Sequence, residues 1–194
     1  KGKGNTPTDE TIYEIASVSK TFAGTLVAQA ELEGKLNLED DIRKYLKEDF
    51  PNFQYKGQPI RIKDLISHTS RLPKFLPQSI NEILENPNDS LAFKIHQIES
   101  EYSKKAFFTD LHTINLDTIP GTTYGYSSVD TELVAHILEN IYDKPYNQLI
   151  QEKISSKIGL KYTGTILQKS VRNKLANGYM NNNVLAPHMT NTLW

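Results

Sequence analysis

The 194-residue sequence contains no cysteine, which rules out disulfides, thiolate metal sites and cysteine nucleophiles. That absence says nothing of the compartment. Nor is there an apolar run approaching the roughly 18 residues that a membrane-spanning helix needs. Charge of one sign is missing as well. The 22 Lys and Arg stand against 23 Asp and Glu, for a formal net charge of −1, so neither a nucleic-acid nor a membrane-surface partner is indicated. The short lysine spots, Lys1 with Lys3 and Lys104 with Lys105, read as solvated surface. No Gly-x-Ser-x-Gly elbow, P-loop or Gly-x-Gly-x-x-Gly occurs. The five histidines, His68, His96, His112, His136 and His188, show no His-x-x-x-His or comparable ligand spacing, so no metal and no cofactor are expected. His136, near the polar edge of its helical pattern, is expected at the surface. The chain starts at Lys1 without a Met, as it would after removal of a leader.

What is present is an ordinary globular balance, 38% hydrophobic and 23% charged residues, in a length that suits one domain with a sizeable core. Residues 1–194 are therefore read as a single domain. Residues 1–11, with Gly2, Gly4 and Pro7, read as loop. Val18, Phe22, Leu26 and Ala30 then recur every fourth residue and predict a helix that stops at Gly34. A short amphipathic piece around Ile42, Tyr45 and Leu46 ends at Pro51. Ile60 and Ile62 alternate with Arg61 and Lys63, predicting a short extended stretch before a turn at His68-Thr69-Ser70-Arg71-Leu72-Pro73. Residues 79–114 read as helix in pieces, broken at Pro87, with Ser90 as a cap for one of them. A second clean helix carries Val129, Leu133, Val134, Ile137, Leu138 and Ile141, capped by Ser127 or Ser128. Pro145 opens a further helix, and residues 162–167 are expected to form a strand. The reading is helix-rich with few strands.

Two segments carry the chemistry-bearing residues. Ser17-Val18-Ser19-Lys20 opens the first helix, and a spacing of three places Ser17 and Lys20 on one face. A serine hydroxyl needs a neighbouring base or a positive field to become a nucleophile; Lys20 supplies one or the other according to its protonation state. The helix N-terminus adds free N–H groups suited to a developing oxyanion. A chain of this length contains about one Ser-x-x-Lys by chance, so the alternative of a cap followed by a surface lysine stands beside this. The second segment, Pro120-Gly121-Thr122-Thr123-Tyr124-Gly125-Tyr126-Ser127-Ser128, puts a tyrosine on a turn, where nearby cations make it an acid or base. The bland counterpart is a tyrosine packed over a turn.

The order of these pieces resembles one family. Ile15-Ala16-Ser17-Val18-Ser19-Lys20-Thr21-Phe22 is similar to the active-site segment of serine β-lactamase-related proteins, which include class C β-lactamases, low-molecular-weight penicillin-binding proteins and related esterases. His68-Thr69-Ser70-Arg71-Leu72-Pro73 resembles their His-Thr-Ser-Gly-Leu-Pro loop, and Pro120-Gly121-Thr122 with Tyr126-Ser127-Ser128 resembles their Pro-Gly-Thr and Tyr-x-Asn segment. Gly159-Leu160-Lys161-Tyr162-Thr163 and Ala176-Asn177-Gly178-Tyr179 match later landmarks in order.

The resemblance implies an α+β fold of the β-lactamase/transpeptidase type, of which this chain is mainly the helical portion, the helix-rich central part of a longer domain. It implies acylation of Ser17, with Lys20 removing its proton and Tyr126 shuttling protons, and a small-molecule or peptidoglycan-like substrate: β-lactams, D-alanyl peptides or small esters. It also implies a periplasmic or otherwise extracytoplasmic location. Ser128 stands where the family has a substrate-binding Asn, and Arg71 where it has Gly, so a positive φ there would be strained. The family's third motif, a Lys-Thr-Gly or His-x-Gly strand that gives half of the oxyanion hole, has no counterpart, and the flanking sheet strands are missing. A helical layer without its sheet is expected to expose apolar surface, which either strands from elsewhere cover or self-association buries. The other readings are a non-catalytic binding or assembly module on the same scaffold, and an unrelated helical structural domain.

Overall fold

The structure, a computed structural model, describes residues 6–180 and 184–189; Lys1, Gly2, Lys3 and Gly4 lie outside the described residues. A 3₁₀ turn over Ala16–Ser19 leads into α1 (Lys20–Leu32), followed by α2 (Ile62–Ile66), α3 (Ser79–Glu85), α4 (Leu91–Glu101), α5 (Lys104–Leu111), α6 (Ser128–Tyr142) and α7 (Tyr146–Ile150). The strands among the described residues are β1 (Gln54–Tyr55) and β2 (Gln58–Pro59), paired antiparallel with Gln54 opposite Pro59. Lys56 and Gly57 between them both have positive φ, as the tight turn of a two-residue hairpin requires.

The centre of the molecule is α6, with α1, α2 and α7 packed on it. Every residue from Ser128 to Leu138 is buried. A helix buried all round needs apolar residues on more than one face, and Val129, Leu133, Val134, Ala135, Ile137 and Leu138 supply them. Helix α1 turns Ala23, Leu26, Val27 and Ala30 inward, the three-and-four spacing seen in its sequence; each large aliphatic side chain so buried contributes about 1.5–3 kcal/mol. Gly34 ends α1 in the left-handed region. Phe50 and Phe53 stack at 4.6 Å in the core, and the His112 ring stacks on Phe50 at 4.2 Å.

Four local expectations differ from what forms. The extended run ends at Arg61, which bridges Asp41; Ile62 already belongs to α2, because the Asp64 carboxylate accepts the Arg61 N–H at 2.8 Å and caps the helix there. Ser90 precedes α4 but makes no capping bond: its hydroxyl is 2.6 Å from Asn88 Oδ1. Residues 162–167 form no strand. Asn147 Oδ1 takes the Thr165 N–H at 2.9 Å and Gln151 Nε2 bonds the Thr163 carbonyl, so side chains of α7 and the turn after it satisfy this backbone in place of a neighbouring strand. His136 is buried, 3% exposed, because α6 presents no free face at that level. Large apolar side chains stand exposed elsewhere, among them Val18, Leu32, Ile158 and Ile166.

The fold brings the two loop motifs together. Gly121 N–H bonds the Thr69 carbonyl, Gly125 N–H the His68 carbonyl and Ser128 N–H the Lys74 carbonyl, each at 2.8 Å, and the Ser127 hydroxyl bonds the Pro73 carbonyl at 2.6 Å. Gly121 sits at φ +84, and a Cβ there would lie 2.9 Å from Asp64 Oδ1. Asp64 is buried and committed to Arg61, so it cannot yield cheaply. Gly121→Ala is expected to destabilise the protein by about 1–3 kcal/mol, from left-handed strain and the displaced carboxylate; a urea midpoint equal to wild type would show that the turn relaxes.

Candidate active site

Ser17 lies in the 3₁₀ turn that precedes α1 and is exposed. Ala16 before it is held at φ +45, a left-handed conformation that costs a residue with a Cβ about 1–2 kcal/mol. At the start of a helix, main-chain N–H groups have no carbonyl one turn earlier to bond. Lys20, the first residue of α1, reaches back across the 3₁₀ turn, with Nζ 3.4 Å from Ser17 Oγ. Tyr126, from the loop ahead of α6, completes the group: its phenol oxygen is 2.7 Å from Ser17 Oγ, and Lys20 Nζ is 5.3 Å from its ring centroid.

Burial alone would raise the Tyr126 pKa. Hydrogen bonds with Ser17, Lys20 and Ser128, together with the charge of Lys20, outweigh it and hold the phenol below the ordinary tyrosine range. A hydroxyl with an amine and a phenol of lowered pKa beside it is an arrangement through which a proton can pass, with the serine oxygen exposed. The serine is presented to solvent while its two partners are partly covered.

Thus the structure brings Ser17, Lys20 and Tyr126 together across 109 residues of chain. Ser128, the first residue of α6, is there too, but 4% exposed; its side chain contributes to lowering the Tyr126 pKa. Arg71 does adopt a positive φ, +70, and its guanidinium holds Asp117 through two bonds of 2.9 and 3.0 Å, which offsets part of the strain.

Two further residues border the site without having been singled out. His68 packs its ring 4.7 Å from that of Tyr126, and Asp130, fully buried on α6, lies 3.2 Å from His68 Nδ1. His68 belongs to the His68–Pro73 motif, which gives its side chain no task by itself; for Asp130 the sequence carries no signal beyond its place in the first turn of the helix. Among the described residues, no three His, Asp or Glu side chains converge to hold a metal ion, and no helix is long and apolar enough to cross a membrane. A groove of about 650 Å³ lies at the far end of α1, lined by Glu33, Lys35, Tyr142, Lys144, Glu152 and Lys153. Its charges are largely spent on one another, with Lys153–Glu33 at 2.7 Å and Lys144–Glu152 at 2.6 Å.

Many known proteins are similar to this chain in sequence or fold. The chain is 27% identical over 162 residues to the D-alanyl-D-alanine-carboxypeptidase/endopeptidase AmpH of Escherichia coli K12, a match covering 84% of this chain and 39% of that protein. It is 29% identical over 178 residues to a beta-lactamase of Providencia stuartii, covering 90% of this chain and 39% of that protein. It therefore spans about two fifths of the length of these curated relatives. Among solved structures, a beta-lactamase/D-alanine carboxypeptidase from Yersinia pestis, complexed with citrate, superposes with a TM-score of 0.74 at 25% identity, over 90% of this chain and 46% of that one. A class C beta-lactamase gives the same TM-score at 21% identity, over 98% of this chain and 48% of that one, a likeness of fold. The described part is the mainly helical portion of that α+β fold. The beta-lactamase family model matches residues 1–192, so the chain belongs to the beta-lactamase family.

Proposed function

We propose that the protein is a serine hydrolase working by acyl transfer, on β-lactams, D-alanyl peptides or small esters, outside the cytoplasm. The observation that carries this reading is the contact of Ser17 Oγ with the Tyr126 phenol at 2.7 Å and with Lys20 Nζ at 3.4 Å. As Ser17 Oγ attacks the substrate carbonyl, its proton passes to the Tyr126–Lys20 pair. The bond to the leaving amine or alkoxide then breaks, and that group takes a proton from Tyr126. Water enters, gives its proton to the same pair and attacks the acyl-serine ester, which releases the acid and restores Ser17. One difficult displacement becomes two easier ones. A phenol with lowered pKa suits both halves, because it accepts and returns a proton near neutral pH more readily than an ordinary tyrosine. Ser128, buried at the start of α6, stands beside the phenol in this scheme rather than at an open substrate face. Its hydroxyl offers one donor, against the two of an Asn amide.

Intact-mass measurement tests the reading. After incubation of the intact protein with a slowly released penicillin, a cephalosporin or an activated ester, the mass rises by one acyl group, and Ser17→Ala shows no rise. No adduct with any of the three would end the acyl-transfer reading in favour of a non-catalytic binding module on this scaffold.

A further inference from the structure

The Tyr126 phenol works only if it is held between Ser17 and Lys20, yet it sits on a loop. The loop's support comes from the other motif. His68 is kept at φ +56 by its own N–H, bonded to the Leu65 carbonyl at 3.3 Å, and by its carbonyl, which accepts the Gly125 N–H at 2.8 Å. That backbone sends the imidazole under Tyr126: the rings are 4.7 Å apart and tilted by 44°, with Tyr124 edge-on at 6.3 Å. The far side of the imidazole is fixed from α6. Its Nδ1 is 3.2 Å from Asp130 Oδ2 and 3.4 Å from the Ser127 N–H. Asp130 is in turn held by the Ser70 hydroxyl on its other oxygen, and Ser70 Oγ accepts the Leu72 N–H at 2.9 Å. A line of contact therefore runs from the buried start of α6 through Asp130 and His68 to the ring of Tyr126.

We propose that His68 is a positioning residue for Tyr126, its imidazole anchored on Asp130 and backing the phenol so that the hydroxyl stays on Ser17 and Lys20. The inference rests on the acyl-transfer reading for its rate consequences, and on the phenol alone for the rest. The groups facing Asp130 are His68 from the loop after α2 and Asp64 from α2 itself, beside the Ser70 hydroxyl. Those facing the phenol are Ser17 and Lys20 at the start of α1 and Ser128 on α6. Burial, only partly offset by the bonds from His68 and Ser70, pushes the Asp130 carboxyl up to about 6. The anchor therefore changes charge as pH passes through that value.

Three variants of the intact protein test this. His68→Asn keeps a polar atom where Nδ1 stands but removes the ring; His68→Phe keeps a ring without the anchor; Asp130→Asn keeps the shape of the anchor without its ionisation. The readouts are the acylation rate against pH with p-nitrophenyl acetate and a chromogenic cephalosporin, and the titration of Tyr126 by NMR of ¹³Cζ-labelled tyrosine, its signal assigned with Tyr126→Phe. Both His68 variants are expected to acylate about tenfold or more slowly with KM changed less than about twofold, and their Tyr126 signal to titrate higher, toward the ordinary value of about 10. The wild-type rate is expected to fall as pH drops through about 6, where Asp130 gains its proton and loses the charge facing His68, and in Asp130→Asn that fall is expected to disappear. Folded His68 variants with wild-type rates and an unmoved Tyr126 titration would overturn the proposal. If the wild type forms no acyl adduct, the acyl-transfer reading falls, and the Tyr126 titration alone decides whether His68 positions the phenol.

Discussion

Ser17→Ala is expected to lower turnover of an activated ester or chromogenic cephalosporin by the intact protein by about four orders of magnitude or more, leaving its fold intact. Ser17 is exposed in its turn and its side chain fills no core space, so the alanine leaves no cavity. What it removes is, among the described residues, the one oxygen in contact with both Lys20 Nζ and the phenol that can attack a carbonyl. Tyr126→Phe removes a proton carrier and no nucleophile, and is expected to cost about 10²–10⁴. The double variant is the sharper measurement. Groups that act as one unit are not additive: once the nucleophile is gone, the proton carrier has nothing to serve. Ser17→Ala with Tyr126→Phe is therefore expected to be no slower than Ser17→Ala alone. A further loss in the double variant would mean that Tyr126 promotes turnover by a route that bypasses Ser17.

Glu132→Gln is expected to stabilise the protein, and by an amount that grows with pH. Glu132 is buried in α6, and its Oε2 makes no hydrogen bond among the described residues. Its neighbour one turn on, His136, keeps Nε2 4.0 Å from Glu132 Oε1 and spends Nδ1 on Glu139, at 3.0 Å. Glu139 also takes Lys104 Nζ at 2.7 Å and the Tyr146 N–H at 3.0 Å. Burial raises its carboxyl, but these bonds more than reverse that and hold it down at about 2. Among the described residues, Glu132 has no hydrogen-bonding partner of this kind, only the His136 ring at 4.0 Å. Burial first, and the charge of Glu99 second, push it up to about 8 from 4.5. Between those two values the folded state holds a proton that the unfolded chain has released, so stability falls as pH rises from 4.5 to 8. The full penalty is on the order of 5 kcal/mol above pH 8 and about 3 kcal/mol at pH 7. The glutamine variant carries none of it. His136, which burial holds below the ordinary imidazole range, is present in both proteins. Urea unfolding should give equal stabilities near pH 4.5 and a gap of several kcal/mol at pH 8. A gap that does not change with pH would show that Glu132 is not the titrating group.

Both predictions concern residues on or next to helices that are plain in the sequence, and they differ in how far the sequence reaches. The Ser17 and Lys20 pairing was legible because three residues along a helix are neighbours whatever the rest of the chain does; only the 3₁₀ form of the first turn, with Ala16 at positive φ, was not. The partnership of Ser17 with Tyr126 was legible only through the resemblance to the family, since no local spacing joins residues that far apart. Helix α6 was plain from its apolar period, but the burial of His136 on it was not. Periodicity assigns one wet face to a helix, and α6, ringed by α1, α2 and α7, has none along residues 128–138. Residues 162–167 misled for a related reason: a strand needs a neighbour, and here side chains from residues 147 and 151 take that place.

The sequence by itself determined the elements and the chemistry available to them: which segments are helical, the absence of any thiol, and a serine with a lysine on one helical face. These follow from local backbone preferences and composition. The tertiary structure decided which of those groups meet. The hydrogen bonds between the His68–Lys74 and Gly121–Ser128 loops bring Tyr126 to Ser17 and slide His68 beneath it, and packing around α6 puts Asp130 and Glu132 out of reach of water. Contacts across 60 or 109 residues and the loss of solvent around a carboxylate are properties of the packed whole. No local stretch of sequence encodes them.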